Sequence, residues 1–420
     1  MSQLSFHPFN ILFFRNLGNF SKTNIIKGFF GALFFSLFIY LDFFGLENRA
    51  FNTLFALIGL FMLIYLDKKS IFWYGFFIGL FWFWWISISF IYYELSFMIP
   101  LVVLFFALLY GVLFYVSTIF DRWNIRFLAL FLLSFFEPLG FNWFKMELIF
   151  INTYFSADKF TLFASLFLAY VAINIPKKRY AFLLLLPLVF FIDLKDYEKE
   201  LPQLNIKLAN INITQDKKWD KENLSNIIQT NLNEIKSAID DGYDLVVLPE
   251  VAFPMVLNKN TLLMQRLEEL SFDIKIITGG LYYDGEISNN STFFFDNGKV
   301  QIANKVVLVP FGEAIPLPKV LVDFINDTFY GGASDFVPAD KPSDFEINGI
   351  KFRNAICYEA TSSEIYKDSP PYVIAISNNA WFTPSIEPNL QKLLMKYYSR
   401  KYKSVIYSVA NNSSNEIIFN

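Results

Sequence analysis

The 420 residues are 55% hydrophobic and 17% charged, with a mean hydropathy of +0.39, too apolar for an ordinary soluble domain and typical of a membrane protein. A formal charge of −3, from 35 basic and 38 acidic residues, offers no basic field for nucleic acid. The single cysteine, Cys357, and single histidine, His7, exclude an intrachain disulfide, a multi-thiolate or histidine-based metal site, and any triad needing a histidine in the C-terminal half.

In chain order, a polar-flanked segment over 1–24 precedes apolar runs at about 25–41, 51–66, 71–93, 97–120, 125–137, 159–175 and 180–193. Several approach the ~20 residues that cross a ~30 Å hydrocarbon core, and the shorter ones need neighbouring residues or local thinning. The expectation is a transmembrane bundle of about seven helices over 25–193, with no cleavable signal. Lys22 and Lys27 precede run one, Asp67, Lys68 and Lys69 follow run two, Arg122 and Arg126 follow run four, and Lys177, Lys178 and Arg179 follow run six. The alternate connections, with Asp42, Glu47 and Arg49 or with Glu94, are poorer in basic residues. This bias predicts a cytoplasmic N-terminus and, after an odd number of spans, an outward-facing 194–420. Glu137, before Pro138, borders an apolar run at an expected interface. The 53 phenylalanines suit apolar packing and lipid contact; Trp73 suits an interfacial belt, whereas Trp82, Trp84 and Trp85 are placed to line a helix face or acyl pocket.

From Leu204 the pattern changes to short strands and amphipathic helices. A strand is predicted over 205–213, then a helix over 221–241 with apolar Leu224, Ile227, Ile228, Leu232, Ile235 and Ile239. Tyr243 to Leu248 is a strand ending in Pro249-Glu250; a helix over 261–270 follows, and a strand over 274–278 ends at Gly279-Gly280. Phe293 to Asp296, Asn297-Gly298 and Val300 to Lys305 read as a β-hairpin. Strands over 352–357 and 372–377 frame a helix around 362–366, and a helix over 389–401 leads to a strand over 404–410. This is a layered α/β domain without a GxGxxG or GxxxxGK[ST] loop.

Proton transfer in such a domain falls to Glu, Asp, Lys, Tyr or Cys. Glu250, Lys305 and Cys357 each stand at a strand end, where side chains distant in sequence converge. Taken singly, they also read as a solvated loop carboxylate, a snorkelling lysine and a small buried hydrophobe. Their surroundings are more specific: Leu248-Pro249-Glu250, Lys305 followed by Leu308-Val309-Pro310-Phe311-Gly312-Glu313, Cys357-Tyr358-Glu359, and Ser377-Asn378-Asn379-Ala380-Trp381-Phe382. These motifs, in this order over nearly the whole chain, resemble the apolipoprotein N-acyltransferase family, and Lys217-Lys218-Trp219-Asp220 resembles its pattern as well.

The resemblance implies a polytopic α-helical membrane bundle fused to an α/β nitrilase-like (carbon-nitrogen hydrolase) αββα sandwich in the bacterial inner membrane, its catalytic domain facing the periplasm. It implies Glu250 as general base, Lys305 as orienting and oxyanion-stabilising cation, Cys357 as nucleophile, and Glu313, Tyr358 and Glu359 in support. Trp219, Trp381 and Phe382 are candidates for contact with substrate or acyl chain. No cofactor or metal is implied. The implied partners are a phospholipid acyl donor, a diacylglyceryl-modified apolipoprotein acceptor and membrane lipids. Beyond Asn411-Asn412 the family pattern continues through further strands and a returning helix, so the expectation here is a domain shortened at its C-terminus; position 389, often histidine in that pattern, is Asn389. A hydrolase of small amides using the same triad, and a non-catalytic membrane homologue, remain as alternatives.

Overall fold

The computed structural model describes residues 21–176, 187, 189–193, 201–286, 288–315, 319, 320, 322 and 336–419. The chain divides into two units, Met1–Phe136 with Met146–Leu194, and Glu137–Lys145 with Lys195–Asn420.

The first unit is helical: α1 (Lys22–Phe43), α2 (Arg49–Tyr65), α3 (Lys68–Phe83), α4 (Ile99–Ser117), α5 (Arg126–Leu133) and α6 (Lys159–Asn174). Among the described residues, Lys22–Phe43, Lys68–Ile91 and Ser96–Trp123 are long and apolar enough to cross a membrane, while α2 and α6 are shorter apolar helices. The run expected over 125–137 is helical only to Leu133, since Pro138 disfavours helical backbone at Glu137, which is extended. Most of the run expected over 180–193, its basic cluster Lys177-Lys178-Arg179, and the first twenty residues lie outside the described residues.

Polar residues between the runs satisfy helix ends. Asp67 Oδ1 accepts from the N–H groups of Lys69 and Ser70 at 3.1 Å each, capping α3. Arg126 pairs with Asp121 and donates to the carbonyls of Leu63, Ile64 and Leu66 around the end of α2. Small residues allow close helix packing: a Cβ added to Gly75 or Gly79 of α3 would lie 2.3 Å from Tyr110 O or 2.2 Å from Phe106 O of α4, the four-residue spacing that brings membrane helices together. Trp82 and Trp85 are buried, and Trp82 Nε1 donates to Ser36 Oγ of α1 at 3.0 Å.

The second unit holds β1 (Ile206–Leu208), α7 (Gln215–Lys218), α8 (Leu224–Asp240), β2 (Leu245–Val247), β3 (Phe253–Val256), α9 (Thr261–Leu270), β4 (Lys275–Tyr283), β5 (Ser288–Asp296), β6 (Lys299–Asn304), β7 (Asp344–Ile347), β8 (Ile350–Ile356), β9 (Tyr372–Asn378), α10 (Glu387–Tyr402), β10 (Val405–Asn411) and β11 (Glu416–Ile418). One sheet runs β1-β2-β4-β5-β6 with β3 beside β4, and the other β11-β10-β9-β8-β7. The central strands are parallel: β1 with β2 and β4, and β8 with β9 and β10.

Period-two alternation builds the layers. Leu245, Val247, Ile277 and Phe294 face Phe352, Ile356, Ile374 and Val409 in a core between the sheets. Their neighbours Val246, Ile276, Phe293 and Phe295 pack with Ile235, Ala238, Leu263 and Leu267 of α8 and α9. With α10 against the second sheet, the order is the expected αββα sandwich.

Several boundaries differ from the sequence reading. The strand expected over 205–213 is confined to β1, and β4 runs through Gly279-Gly280 rather than ending there. The helix expected around 362–366 is a 3-10 turn over Cys357–Thr361 followed by irregular turns. The short strands β3, β7 and β11 carry too few residues for a period to show.

Candidate active site

Three strand ends bring the chemistry together. Past β2, the Gly279 N–H donates to Pro249 O at 3.2 Å, and a Cβ on Gly279 would stand 2.4 Å from Val251 N and 2.7 Å from Glu250 Cα. Glycine there lets the Glu250 backbone lie directly on β4. Past β6, Lys305 continues the hairpin ladder, its N–H donating to Asn290 O at 3.0 Å. Past β8, Cys357 turns into the left-handed region, φ 55°, a conformation that a non-glycine residue keeps only where its surroundings hold it.

Glu359 does that holding. It is 1% exposed, and its carboxylate accepts from Ile356 N at 2.7 Å, Val307 N at 2.9 Å and Val306 N at 2.5 Å, tying the Cys357 turn to the residues after Lys305. Burial lifts its pKa to about 7, against the opposing pull of Lys305 and these three N–H groups.

The centre is a buried charge network. Lys305, 2% exposed, lies 2.7 Å from Glu313 Oε2 and 4.0 Å from Glu250 Oε1. Asn290 Nδ2 donates to Glu250 Oε1 at 2.7 Å and Glu313 Oε1 at 3.2 Å, while Glu313 Oε2 accepts from Val309 N at 2.9 Å. Burial opposes the lysine's charge, but Glu313 and Glu250 outweigh it and raise its pKa, so Lys305 stays protonated. Burial, then Glu250, pushes the Cys357 thiol well above its ordinary value, and Lys305 only partly offsets them. The resting sulfur is therefore a neutral thiol. Gln391 Nε2 lies 3.9 Å from its Sγ.

The other sequence candidates are placed differently. Tyr358, 3% exposed, accepts from Asn142 N at 3.0 Å and packs against both Phe141 and Trp143, the three ring centroids lying 6.1 Å from one another; Trp143 Nε1 donates to Thr361 Oγ1 at 2.7 Å. Tyr358 thus rests on a segment from between the membrane runs, which sequence position did not suggest. Trp219 is 48% exposed, and Trp381 and Phe382 are partly buried beside the end of β9.

Asn290, Gln391, Glu387 and Lys218 escaped notice as site residues. Lys218 is buried, its ammonium donating to Glu250 O at 3.0 Å, and desolvation lowers its pKa to about 8 although Glu250 and Cys357 oppose the shift. Glu387 and Gln391 had a readable signal, as polar residues at i and i+4 on the apolar face of α10. Asn290 had none, because a single amide in a strand shows no partner.

Residues 22–194 match the apolipoprotein N-acyltransferase integral membrane domain, and 205–413 match carbon-nitrogen hydrolase. The chain is similar to the apolipoprotein N-acyltransferase of Wolinella succinogenes, at 41% identity covering 96% of this chain and 97% of that one. Identity is 38% to both the Campylobacter jejuni protein of that name (94% and 89% covered) and that of Helicobacter pylori (90% and 91%). With both halves matched and identity sustained over almost all its length, the chain belongs to the apolipoprotein N-acyltransferase family.

Proposed function

We propose that this chain is a multi-pass inner-membrane enzyme that N-acylates the diacylglyceryl-modified N-terminal cysteine of apolipoproteins, taking the acyl group from a phospholipid. The reading includes a cytoplasmic segment 1–24, about seven spans over 25–193 and a periplasmic catalytic domain over 194–420. The carrying observation is the buried Glu250–Asn290–Glu313–Lys305 network whose charges act on the Cys357 thiol.

A neutral thiol attacks an ester efficiently only if its proton leaves during attack. Glu250 accepts that proton as Sγ bonds to the ester carbonyl carbon, and Lys305 stabilises the oxyanion. Glu250 returns the proton to the glycerol oxygen as the C–O bond breaks, releasing lysophospholipid and leaving acyl-Cys357. The free α-amine of the acceptor then attacks the thioester, forming the amide and restoring the thiol. Both substrates are lipid-anchored, and extracting either into water would expose its chains at about 0.8 kcal/mol per CH₂. Trp219, Trp381 and Phe382 are assigned to substrate or acyl-chain contact, and Glu313, Tyr358 and Glu359 support the triad.

Intact-protein mass spectrometry after incubation with phospholipid tests the reading. One fatty-acyl mass is expected on Cys357 in wild type and none in Cys357→Ala; Glu250→Gln is expected to slow its appearance by roughly 10²-fold or more. No adduct in wild type defeats the acyl-enzyme, and turnover of small amides without phospholipid would make the chain a hydrolase instead.

A further inference from the structure

Helix α10 presents to the protein interior a face carrying Glu387, Leu390, Gln391, Leu394 and Tyr398. Gln391 on this face is the residue that reaches Cys357 Sγ, and it also donates to Ser377 Oγ at 3.4 Å and accepts from Asn379 Nδ2 at 3.3 Å. Glu387 stands one turn earlier on that face. It is 2% exposed, and its Oε2 is buried without a hydrogen-bond partner. Its charge acts on the Cys357 thiol and is itself opposed by that of Glu250.

The other buried glutamates around the thiol have partners: Glu313 has Lys305, Glu359 has three backbone N–H groups, and Glu250 has Asn290. Among the described residues no ammonium or guanidinium pairs with Glu387. A buried carboxyl with an unsatisfied oxygen, near a second carboxyl, is unfavourable unless something that donates hydrogen bonds and carries positive charge enters between them. A phosphate or other anion does not fit that requirement; a primary ammonium does, having three N–H donors and one charge.

We propose that Glu387 and Glu250 together form the subsite for a positively charged primary amine, holding the acceptor of the second half-reaction beside the acyl-Cys357 carbonyl. The inference rests on the acyl-transfer reading above. Burial, then Glu250, lifts the Glu387 carboxyl to about 8, and a bound cation reverses the second cause and compensates the first. The ammonium gives its first proton to the Glu387 carboxylate. The neutral nitrogen attacks the thioester carbon, its second proton passes to Glu250 and on to the departing Sγ as the C–S bond breaks, and the amide keeps the third hydrogen.

Single-turnover decay of preformed acyl-Cys357 tests this with two acceptors, a synthetic S-diacylglyceryl-cysteinyl peptide with a free α-amine, and hydroxylamine, which is uncharged at neutral pH. Glu387→Gln is expected to slow decay with the peptide by roughly 10-fold or more, with a raised half-saturating peptide concentration, and to slow decay with hydroxylamine far less; Glu387→Asp should recover part of the peptide rate. Should the Gln variant fail to acylate, the Asp variant carries the same two-acceptor comparison. Unchanged decay with the peptide, or an equal loss with both acceptors, overturns the subsite. Absence of acyl-Cys357 in wild type overturns the underlying acyl-transfer reading instead.

Discussion

Asn290 does two jobs with one residue: its backbone carbonyl accepts from Lys305 N, and its side chain bridges Glu250 and Glu313. Asn290→Ala is expected to leave Glu250 loosely oriented, slowing acyl-enzyme formation by roughly 10-fold for a stability loss of about 1–2 kcal/mol; acylation time courses and thermal unfolding separate the two effects. Lys218 gives a prediction in pH. Its folded pKa of about 8 lies below the unfolded value of 10.5, so the unfolded chain binds more protons between those values and stability rises with pH across that window. Below pH 8 the buried charge costs up to about 3 kcal/mol relative to the neutral amine. Unfolding of wild type and Lys218→Met in detergent should therefore converge in favour of wild type as pH rises from 8 to 10.5; parallel curves would remove Lys218 from the buried charges. The sequence exposed Glu250, Lys305 and Cys357 because each closes an apolar strand, whereas Lys218 stands out only as part of the Lys217-Lys218-Trp219-Asp220 pattern, with no role of its own. Only folding shows that it turns inward to the carbonyl of Glu250.

At the level of elements, hydrophobic period located most strands and helices, while chain approach determined their ends. Gly279-Gly280 reads as a strand terminus because glycine ordinarily interrupts strands, yet β4 continues to Tyr283 and the missing Cβ makes room for the Glu250 backbone. Gly279→Ala is accordingly expected to displace Glu250. Acyl-enzyme formation should fall by roughly 10²-fold, the cost of a misplacement near 1 Å, while near-ultraviolet circular dichroism still reports a folded domain; unchanged acylation would show that the contact relaxes harmlessly. The helix expected around 362–366 failed for a related reason. The chain after Cys357 is governed by the Glu359 carboxylate gathering three N–H groups, so hydrogen bonding to a distant loop takes precedence over local helix preference.

Across the molecule, the change from apolar runs to alternating strands after residue 193 is visible in composition, and its consequence for topology is directly testable: a reporter fused after Leu201 should read periplasmic, and a cytoplasmic signal would put the catalytic domain on the wrong face. Composition does not reveal that Glu137–Lys145, bracketed in sequence by helices of the first unit, belongs to the second, where Asn142 and Trp143 hold Tyr358 and Thr361. By itself the sequence determined the two-part architecture, the layer pattern of the sandwich and three strand-end residues, because hydrophobic burial follows a period that is local in the chain. Tertiary structure alone decided which carboxylates pair with Lys305, which one is left with an unsatisfied oxygen on α10, and which glycine admits Glu250. Those facts depend on distances between segments far apart in sequence, and on desolvation that no local pattern encodes.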